Sequence, residues 1–368
     1  MMKKVLIVCL LCCCITAAPA QTLREAVGKY FLIGAAINDS QARGDDSVAT
    51  ACITSQFNCL VAENCMKPKE VQPAEGQWHW QKADRFVEFA ERNGITVIGH
   101  CLVWHQQTGD WMFCGADGQK ATREQLIDRM RTHIHTIVGR YKGRIRGWDV
   151  VNETIEDDGT FRQWDWYNIL GEDYIELAFR FAHEADPDAE LYLNDFSMTV
   201  PAKRDAVCRL VRRLKQKGCR IDAIGMQSHN GLTWPQAVAY EAAIDSFAAC
   251  GVKVMITELD MNVLPNPDQF SGAEISQNFE YSDRMDPYRN GLPNDVAQRI
   301  DHQWLKFFRI YKKHSHQISR VTLWGVTDDQ SWMNDWPIKG RTAYPLLFDR
   351  NYKPKKIVGK IIKMYSKF

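Results

Sequence analysis

The stretch IRGWDVVNE (145–153) decides the fold, because it joins a run typical of a buried β-strand to a polar end. Its tryptophan and valines predict a strand that is buried on both faces, as in a parallel sheet. The strand then ends in Asn152 and Glu153, although a buried carboxylate is costly unless it has partners or a task. The carboxyl end of this strand is therefore a candidate functional position.

Seven further runs of the same kind flank this strand along the chain: FLIGAAI (31–37), CLVAENCM (59–66), TVIGHCLVWH (96–105), ELYLNDF (190–196), AIGMQSH (223–229), KVMITELDM (253–261) and VTLWGV (321–326). Between them lie stretches with apolar residues at helical spacing, for example ADRFVEFAERNG (83–94) and TREQLIDRMRTHIHTIVGRY (122–141). Eight alternating β/α units predict a fold of the α/β class, a single-domain (β/α)8 TIM barrel. A doubly wound sheet with a second domain is the alternative, but no linker or break in composition supports it.

The N-terminal segment has the layout of a secretory signal. Two lysines precede an apolar stretch, and Ala18-Pro19-Ala20 forms a small-residue cleavage site before Gln21. The apolar stretch is too short to span a bilayer comfortably, and no other segment resembles a membrane span. We therefore expect residues 1–20 to be removed, residues 21–368 to form the catalytic barrel, and the protein to be exported to the periplasm or secreted. Lipid attachment at a cysteine within 12–14 is the second alternative.

The overall charge restricts the partners of the protein. Lysine and arginine number 46 against 45 acidic residues, so no electrostatic feature favours nucleic acid or an anionic membrane surface. We expect an uncharged ligand and a monomer.

Eight cysteines lie outside the signal segment. An exported chain permits disulfides, yet packed thiols are favoured in a chain of this length. No zinc-type His/Cys spacing is found, so neither a metal nor a cofactor is expected.

In a barrel of this type, active sites lie at the carboxyl ends of the strands. Taken singly, a polar residue at such an end is more often structural than catalytic, and His105, Asn194 and Asp195 receive no role for that reason. Together, the strand ends supply carboxylates, amides, His, Lys and tryptophans, which suit an uncharged ligand rich in hydroxyl groups. Two glutamates from different strands, Glu153 and Glu258, are what cleavage of a glycosidic bond requires.

The same stretches resemble glycoside hydrolase family 10, the endo-β-1,4-xylanases. The resemblance is carried by AENCMK (62–67), IGHCLVWH (98–105), GWDVVNE (147–153), LYLNDF (191–196), IGMQSH (224–229), ITELDM (256–261) and LWGVTDDQSW (323–332), and it runs from about Leu23 to the C-terminus. It implies endo-hydrolysis of xylan and xylo-oligosaccharides by a retaining mechanism. Glu153 matches the general acid/base of the family and Glu258 matches its nucleophile.

The resemblance also implies a set of sugar-binding residues on the glycone side of the cleavage point: Glu63, Asn64, Lys67, His100, Trp104, Asn152, Gln227, His229, Trp324 and Trp332. Asp260 would orient His229 beside Glu258, and Glu63 would pair with Lys67. The negative charge of Glu258 is expected to raise the pKa of Glu153.

One connection, residues 262–293, is unusually long and would rise from the catalytic face. The candidates for the aglycone side are its aromatics Phe270, Phe279, Tyr281 and Tyr288, together with Trp111, Trp164 and Trp166. Aromatic residues in loops are as often part of local packing.

Two alternatives to a xylanase stay open: a retaining barrel glycosidase that acts on another β-glycan such as glucan or mannan, and a glycan-binding barrel without activity.

Overall fold

The computed structural model describes residues 21–115, 118–270 and 274–366. The predicted signal segment, residues 1–20, lies outside the described residues. No helix in the described part of the chain is long and apolar enough to cross a membrane.

The described strands form one closed parallel sheet. They are β1 (Leu32–Ile37), β2 (Cys59–Ala62), β3 (Thr96–Val103), β4 (Gly147–Asn152), β5 (Glu190–Asp195), β6 (Ala223–Met226), β7 (His229–Gly231), β8 (Lys253–Asn262) and β9 (Ile318–Leu323). Their order is β6-β5-β4-β3-β2-β1-β9-β8, and β6 closes the ring by pairing with β8. The short β7 also pairs with β8, so β6 and β7 are two segments of one barrel position. The predicted (β/α)8 barrel is therefore confirmed.

Helices surround the sheet. They are α1 (Leu23–Val27), α2 (Asp39–Arg43), α3 (Ser47–Gln56), α4 (Pro68–Val71), α5 (Gln81–Arg92), α6 (Arg123–Arg140), α7 (Asp165–Leu170), α8 (Asp173–Ala185), α9 (Pro201–Gln216), α10 (Ala237–Ala248), α11 (Asn294–Lys313) and α12 (Lys356–Ser366). The longest begin and end close to the amphipathic stretches of the sequence. In α6, Thr122 and Gln125 form a capping box, and the buried side chains recur at helical spacing toward the sheet.

The residues that decide the fold pack closely against the neighbouring strand. Gly99 of β3 is in register with Trp148 of β4, and a Cβ atom at position 99 would lie 2.1 Å from the indole ring. Only glycine therefore lets the Trp148 ring lie across β3. Trp148 itself is buried in the layer between strands and helices. This packing fixes β4, at whose carboxyl end Glu153 lies.

All eight cysteines that follow the signal segment are free thiols. Six of them are buried, Cys52 is half-buried, and Cys114 is exposed. The chain therefore holds its fold through apolar packing of the barrel rather than through disulfides in this structure.

Candidate active site

The predicted site residues meet in one cleft at the carboxyl end of the barrel. A cavity of about 240 Å³ is lined by both glutamates, Glu153 and Glu258. All ten residues predicted to bind sugar line the same cavity: Glu63, Asn64, Lys67, His100, Trp104, Asn152, Gln227, His229, Trp324 and Trp332. Glu153 follows β4 and Glu258 lies within β8, so the barrel brings together residues that are far apart along the chain.

A chain of amides connects the two glutamates. Gln227 donates to Oε1 of Glu153 at 3.0 Å, and its Nε2 lies 3.4 Å from Oδ1 of Asn152. Asn194 donates to the same Asn152 oxygen at 2.9 Å and to Oε1 of Glu258 at 2.8 Å. Thr257 in turn donates to Asn194 at 2.6 Å. These amides hold both carboxylates in fixed positions on either side of Asn152.

Glu258 is surrounded by groups that favour its ionised form. Nε2 of His229 lies 3.3 Å from Oε2 of Glu258, while Nδ1 of His229 lies 3.0 Å from Asp260, which also accepts from the Trp332 indole at 2.9 Å. Burial opposes charge on His229, but the carboxylates of Asp260 and Glu258 outweigh it and raise the pKa of His229 to about 10. Burial would likewise raise the pKa of Glu258, yet the His229 hydrogen bond, the charges of His100 and His229, and the Asn194 bond lower it overall.

Glu153 has the opposite balance. The residue is 6% exposed, and burial is the main cause that raises its pKa. The charges of Asp195 and, less strongly, Glu258 add to this effect, while hydrogen bonds from Gln227 and from Trp104, the latter at 2.9 Å, oppose it. The sequence suggested Glu258 as the cause of the raised pKa, whereas the structure gives burial first. The buried position arises because Glu153 lies deep in the cleft rather than at its rim.

The backbone at Glu153 is held in an uncommon conformation. Glu153 has φ 60°, in the left-handed region that non-glycine residues rarely adopt, at a cost of about 1–3 kcal/mol. Its N–H donates to Asn194 O at 2.9 Å, and Asp195 accepts from the N–H of Ile155 at 3.1 Å. Asp195 is itself paired with the fully buried Lys203 at 2.8 Å. The β5 end therefore fixes the turn that carries Glu153.

The glycone end of the cleft differs from the prediction in one contact. The expected Glu63–Lys67 ion pair is not among the ion pairs of the described residues. The Lys67 ammonium instead donates to Asn64 at 2.9 Å and to Gln107 at 2.8 Å, and it lies 4.9 Å from the centre of the Trp104 ring. These acceptors are neutral oxygens, and no ion pair of Lys67 is found among the described residues, while burial lowers the pKa of the Lys67 amine.

A second cavity, of about 400 Å³, continues from His229 and Trp332 away from the glutamates. Of the loop aromatics predicted for the aglycone side, Phe270 lines it. The structure also adds residues that the sequence did not single out: Phe196, Trp234 and Trp336. Trp234 is 44% exposed, which leaves much of its ring open to a ligand.

The remaining loop aromatics have local partners. Trp111 donates to Gln72 O, Trp166 is buried and donates to Trp104 O, and Tyr281 donates to Asp286. Trp164 is 41% exposed and lies 5.1 Å from His105, next to Glu153. Trp111, Trp166 and Tyr281 therefore take part in local packing, as the alternative interpretation of loop aromatics predicted.

Sequence reasoning missed three residues that contact the site. Asn194 was left as a structural residue, yet it bonds Glu258 directly. His105 lies 3.9 Å from Oε2 of Glu153, and burial lowers its pKa to about 3, so the ring is neutral. Gln107 follows β3 and bonds Lys67. Asn194 was detectable from its place at a strand end, whereas Gln107 lies beyond the apolar run and carried no signal.

Comparisons with known proteins agree on the family. The model described as "Glycosyl hydrolase family 10" matches residues 22–364. Endo-1,4-beta-xylanase A of Xylanibacter ruminicola is 55% identical over 353 residues, which cover 95% of this chain and 96% of the relative.

Solved structures give the same result. A GH10 endoxylanase retrieved from a sugarcane soil metagenome has a TM-score of 0.90 and 42% identity, covering 93% of this chain and 99% of that one. TsXylA, an intracellular xylanase of Thermoanaerobacterium saccharolyticum solved as a mutant with xylotriose, has a TM-score of 0.81 and 34% identity, covering 94% and 99%. The chain therefore belongs to glycosyl hydrolase family 10, the family of the endo-β-1,4-xylanases that it resembles in sequence and in structure.

Proposed function

We propose that this protein hydrolyses internal β-1,4-xylosidic bonds of xylan by a retaining double displacement, with Glu258 as nucleophile and Glu153 as general acid/base. The observation that carries the proposal is a pair of buried carboxyl groups in one cavity whose pKa values are shifted in opposite directions. Environments that separate two pKa values in this way assign one group as acid and the other as anion.

In the first step, ionised Glu258 attacks the anomeric carbon while protonated Glu153 delivers its proton to the glycosidic oxygen, which leaves with the aglycone. The lowered pKa of Glu258 keeps the nucleophile charged, and protonated His229 beside it maintains that state. The raised pKa of Glu153 keeps the proton in place until the bond breaks. The product of this step is a sugar esterified to Glu258.

In the second step, Glu153 removes a proton from water, which displaces Glu258 from the anomeric carbon. Esterification removes the charge of Glu258, one of the influences that raise the pKa of Glu153. The pKa of Glu153 therefore falls at the stage at which Glu153 must act as a base. Two inversions at the same carbon give net retention.

The cleft suits a chain of neutral sugars. Indole faces of Trp324 and Trp332 pack against the apolar side of a sugar ring, while amides and the Lys67 ammonium satisfy its hydroxyl groups. Asn152, fixed between Gln227 and Asn194, is placed to bond the 2-hydroxyl of the reacting sugar, a contact that strengthens in the transition state. The relative TsXylA was solved with xylotriose, which supports xylo-oligosaccharides as ligands here.

We further propose that the protein acts as an exported monomer after removal of residues 1–20. The motif Ala18-Pro19-Ala20 supports this processing. The N-terminal residue of the mature protein, determined from the culture medium or periplasm, would identify the cleavage site. An intact Met1 in the active protein would contradict it.

Three measurements test the function itself. Initial rates on linear xylan and on soluble cellulose give the substrate, and a preference for cellulose would replace xylan with a glucan. The anomeric configuration of the first product, followed by NMR, gives the stereochemistry, and inversion would refute the double displacement. Glu258→Ala should abolish turnover, and azide should restore it with the opposite anomer as product, whereas near wild-type activity would remove Glu258 from its role.

A further inference from the structure

The long connection between β8 and α11 contains a segment, residues 274–279, that docks on the loop after β9. The Trp336 indole donates to Ile275 O at 3.1 Å, and Phe279 N donates to Pro337 O at 3.0 Å. Earlier in the same connection, the Phe270 ring packs on Trp336 with 5.2 Å between ring centres. We call residues 274–279 the strap.

The strap also reaches the loop after β3. Ile275 N donates to Oε1 of Gln106 at 2.7 Å. In the barrel, β3 and β9 are separated by β2 and β1 on one side and by four strand positions on the other. The N–H and C=O of Ile275 are thus bonded to two loops that are not neighbours, so its backbone crosses the mouth of the barrel.

The crossing lies over the catalytic cavity. Ile275 and Trp336 line the same cavity as Glu153 and Glu258, and the Ile275 residue is 40% exposed although it belongs to the rim of a cleft. An aliphatic side chain offers no hydrogen-bond partner to a sugar substituent. A hydroxyl or carboxylate pressed against it would lose water without compensation.

The strap contact also orients a group beside the acid/base. Because Oε1 of Gln106 accepts from the strap, its Nε2 is left to donate to Nε2 of His105 at 3.1 Å. Nε2 of His105 must then be unprotonated, in agreement with the lowered pKa of this ring, and it lies 3.9 Å from Glu153. Gln106 therefore connects the strap to the surroundings of the acid/base.

We propose that Ile275 is a specificity-determining residue that restricts side groups on the backbone sugars next to the scissile bond, so that the enzyme favours unsubstituted xylosyl units there. This inference rests on the proposed function, since it concerns which xylans enter the same cleft. The N–H and the C=O of Ile275 are both hydrogen-bonded, and the residue lies in the unusually long connection 262–293.

The test compares two substrates in each variant: linear xylohexaose and a xylo-oligosaccharide of equal backbone length that carries arabinofuranosyl groups. Ile275→Ala should raise the ratio of kcat/KM for the decorated over the linear substrate about tenfold, the scale of discrimination by aliphatic contacts. The rate on xylohexaose is the denominator of this ratio, so a general loss of activity lowers both rates and leaves the ratio unchanged. Val238→Ala, an aliphatic truncation at an 83% exposed position on α10, is the matched control and should leave the ratio unchanged.

Gln106→Leu is the second variant, because it removes the acceptor of Ile275 N and keeps the strap sequence intact. It should also raise the ratio. A wild-type ratio in Ile275→Ala, whether or not Gln106→Leu changes it, would overturn the assignment of Ile275, and thermal unfolding of each variant shows that it is folded. Failure of the wild-type enzyme to cut xylohexaose at all would instead refute the proposed function, so the two failures are distinguishable.

Discussion

Asp260→Asn removes one charge from the residues around Glu258, the proposed nucleophile, and keeps the shape of the side chain. In the native protein Asp260 accepts from Nδ1 of His229 and from the Trp332 indole. An asparagine oxygen can still accept one such bond, but it no longer stabilises a positive charge on His229. The expected consequence is a His229 that loses its proton within the working pH range.

The size of the effect follows from the His229 environment. The pKa of His229 is raised from 6.5 to about 10. This rise corresponds to about 5 kcal/mol in favour of the protonated ring. Asp260 contributes the two largest of the raising influences, its charge and its hydrogen bond, and Glu258 contributes the rest. We therefore expect Asp260→Asn to remove the larger part of the influences that raise the pKa of His229 and so to lower that pKa, since only Glu258 remains and burial opposes the charge.

Asp260→Asn should reduce activity at alkaline pH. A protonated His229 donates from both ring nitrogens, whereas a neutral ring has one N–H to share between position 260 and Glu258. Because the native His229 keeps its proton up to about pH 10, its support of Glu258 is constant below that pH. In Asp260→Asn the support is lost as pH rises through the lowered pKa, so the alkaline limb of kcat/KM moves to lower pH.

The assay is the pH dependence of kcat/KM on an aryl xylobioside with a good leaving group. Such a substrate needs little help from Glu153 in the first step, so its profile reports Glu258 and His229. Trp332→Phe is the control: it removes the other donor to Asp260 and no charge, and its alkaline limb should coincide with that of the wild type. An Asp260→Asn profile with an unshifted alkaline limb would refute the reasoning.

Three further predictions use other contacts of the site. Glu153→Ala should spare the first step for substrates with good leaving groups and slow hydrolysis of xylan severely, in a comparison of aryl xylobioside and xylan rates; equal losses on both would contradict the acid role. Asn194→Ala should reduce kcat/KM roughly ten- to hundredfold and move the acid limb to higher pH, because Glu258 loses a 2.8 Å bond that lowers its pKa; an unchanged acid limb would exclude this. Lys203→Met leaves Asp195 buried without its cation and should lower the free energy of unfolding in urea by about 3–5 kcal/mol, which an unchanged unfolding midpoint would disprove.

The sequence predicts the barrel well because the barrel strands are buried over most of their length. Each strand therefore appears as a continuous apolar run, and the polar residue that ends the run marks the catalytic face. The sixth strand of the barrel was predicted as one run, 223–229. In the structure this position consists of β6 and the short β7, which begins at the last residue of the run. The helix α3 is less distinct, since its buried residues are limited to Ala49 and Ile53, and a single apolar pair gives little periodicity.

Contacts made by the backbone or by neutral side chains escaped prediction. The family resemblance implied a pair between Lys67 and Glu63, yet the Lys67 nitrogen donates to the amide oxygens of Asn64 and Gln107. The long connection was predicted to contribute aromatic side chains, whereas Ile275 is the residue from its described part that lines the catalytic cavity, held through its N–H and C=O. Backbone groups are the same at every position, so no sequence pattern distinguishes such a contact.

In the proposed double displacement, Glu153 acts first as an acid and then as a base, and its surroundings suit both roles. Burial and the charge of Asp195 are the same in both steps, and only the charge of Glu258 disappears on esterification. The loss of this charge would have a small effect on the pKa of Glu153 if no hydrogen-bond donors stabilised the ionised carboxyl group. Gln227 and Trp104 already donate to the carboxyl group at 3.0 and 2.9 Å, so the anionic form has its hydrogen bonds before it is needed. Burial and the charge of Glu258 favour the protonated carboxyl group while these donors favour the anion, so the loss of the Glu258 charge shifts the balance toward the anion.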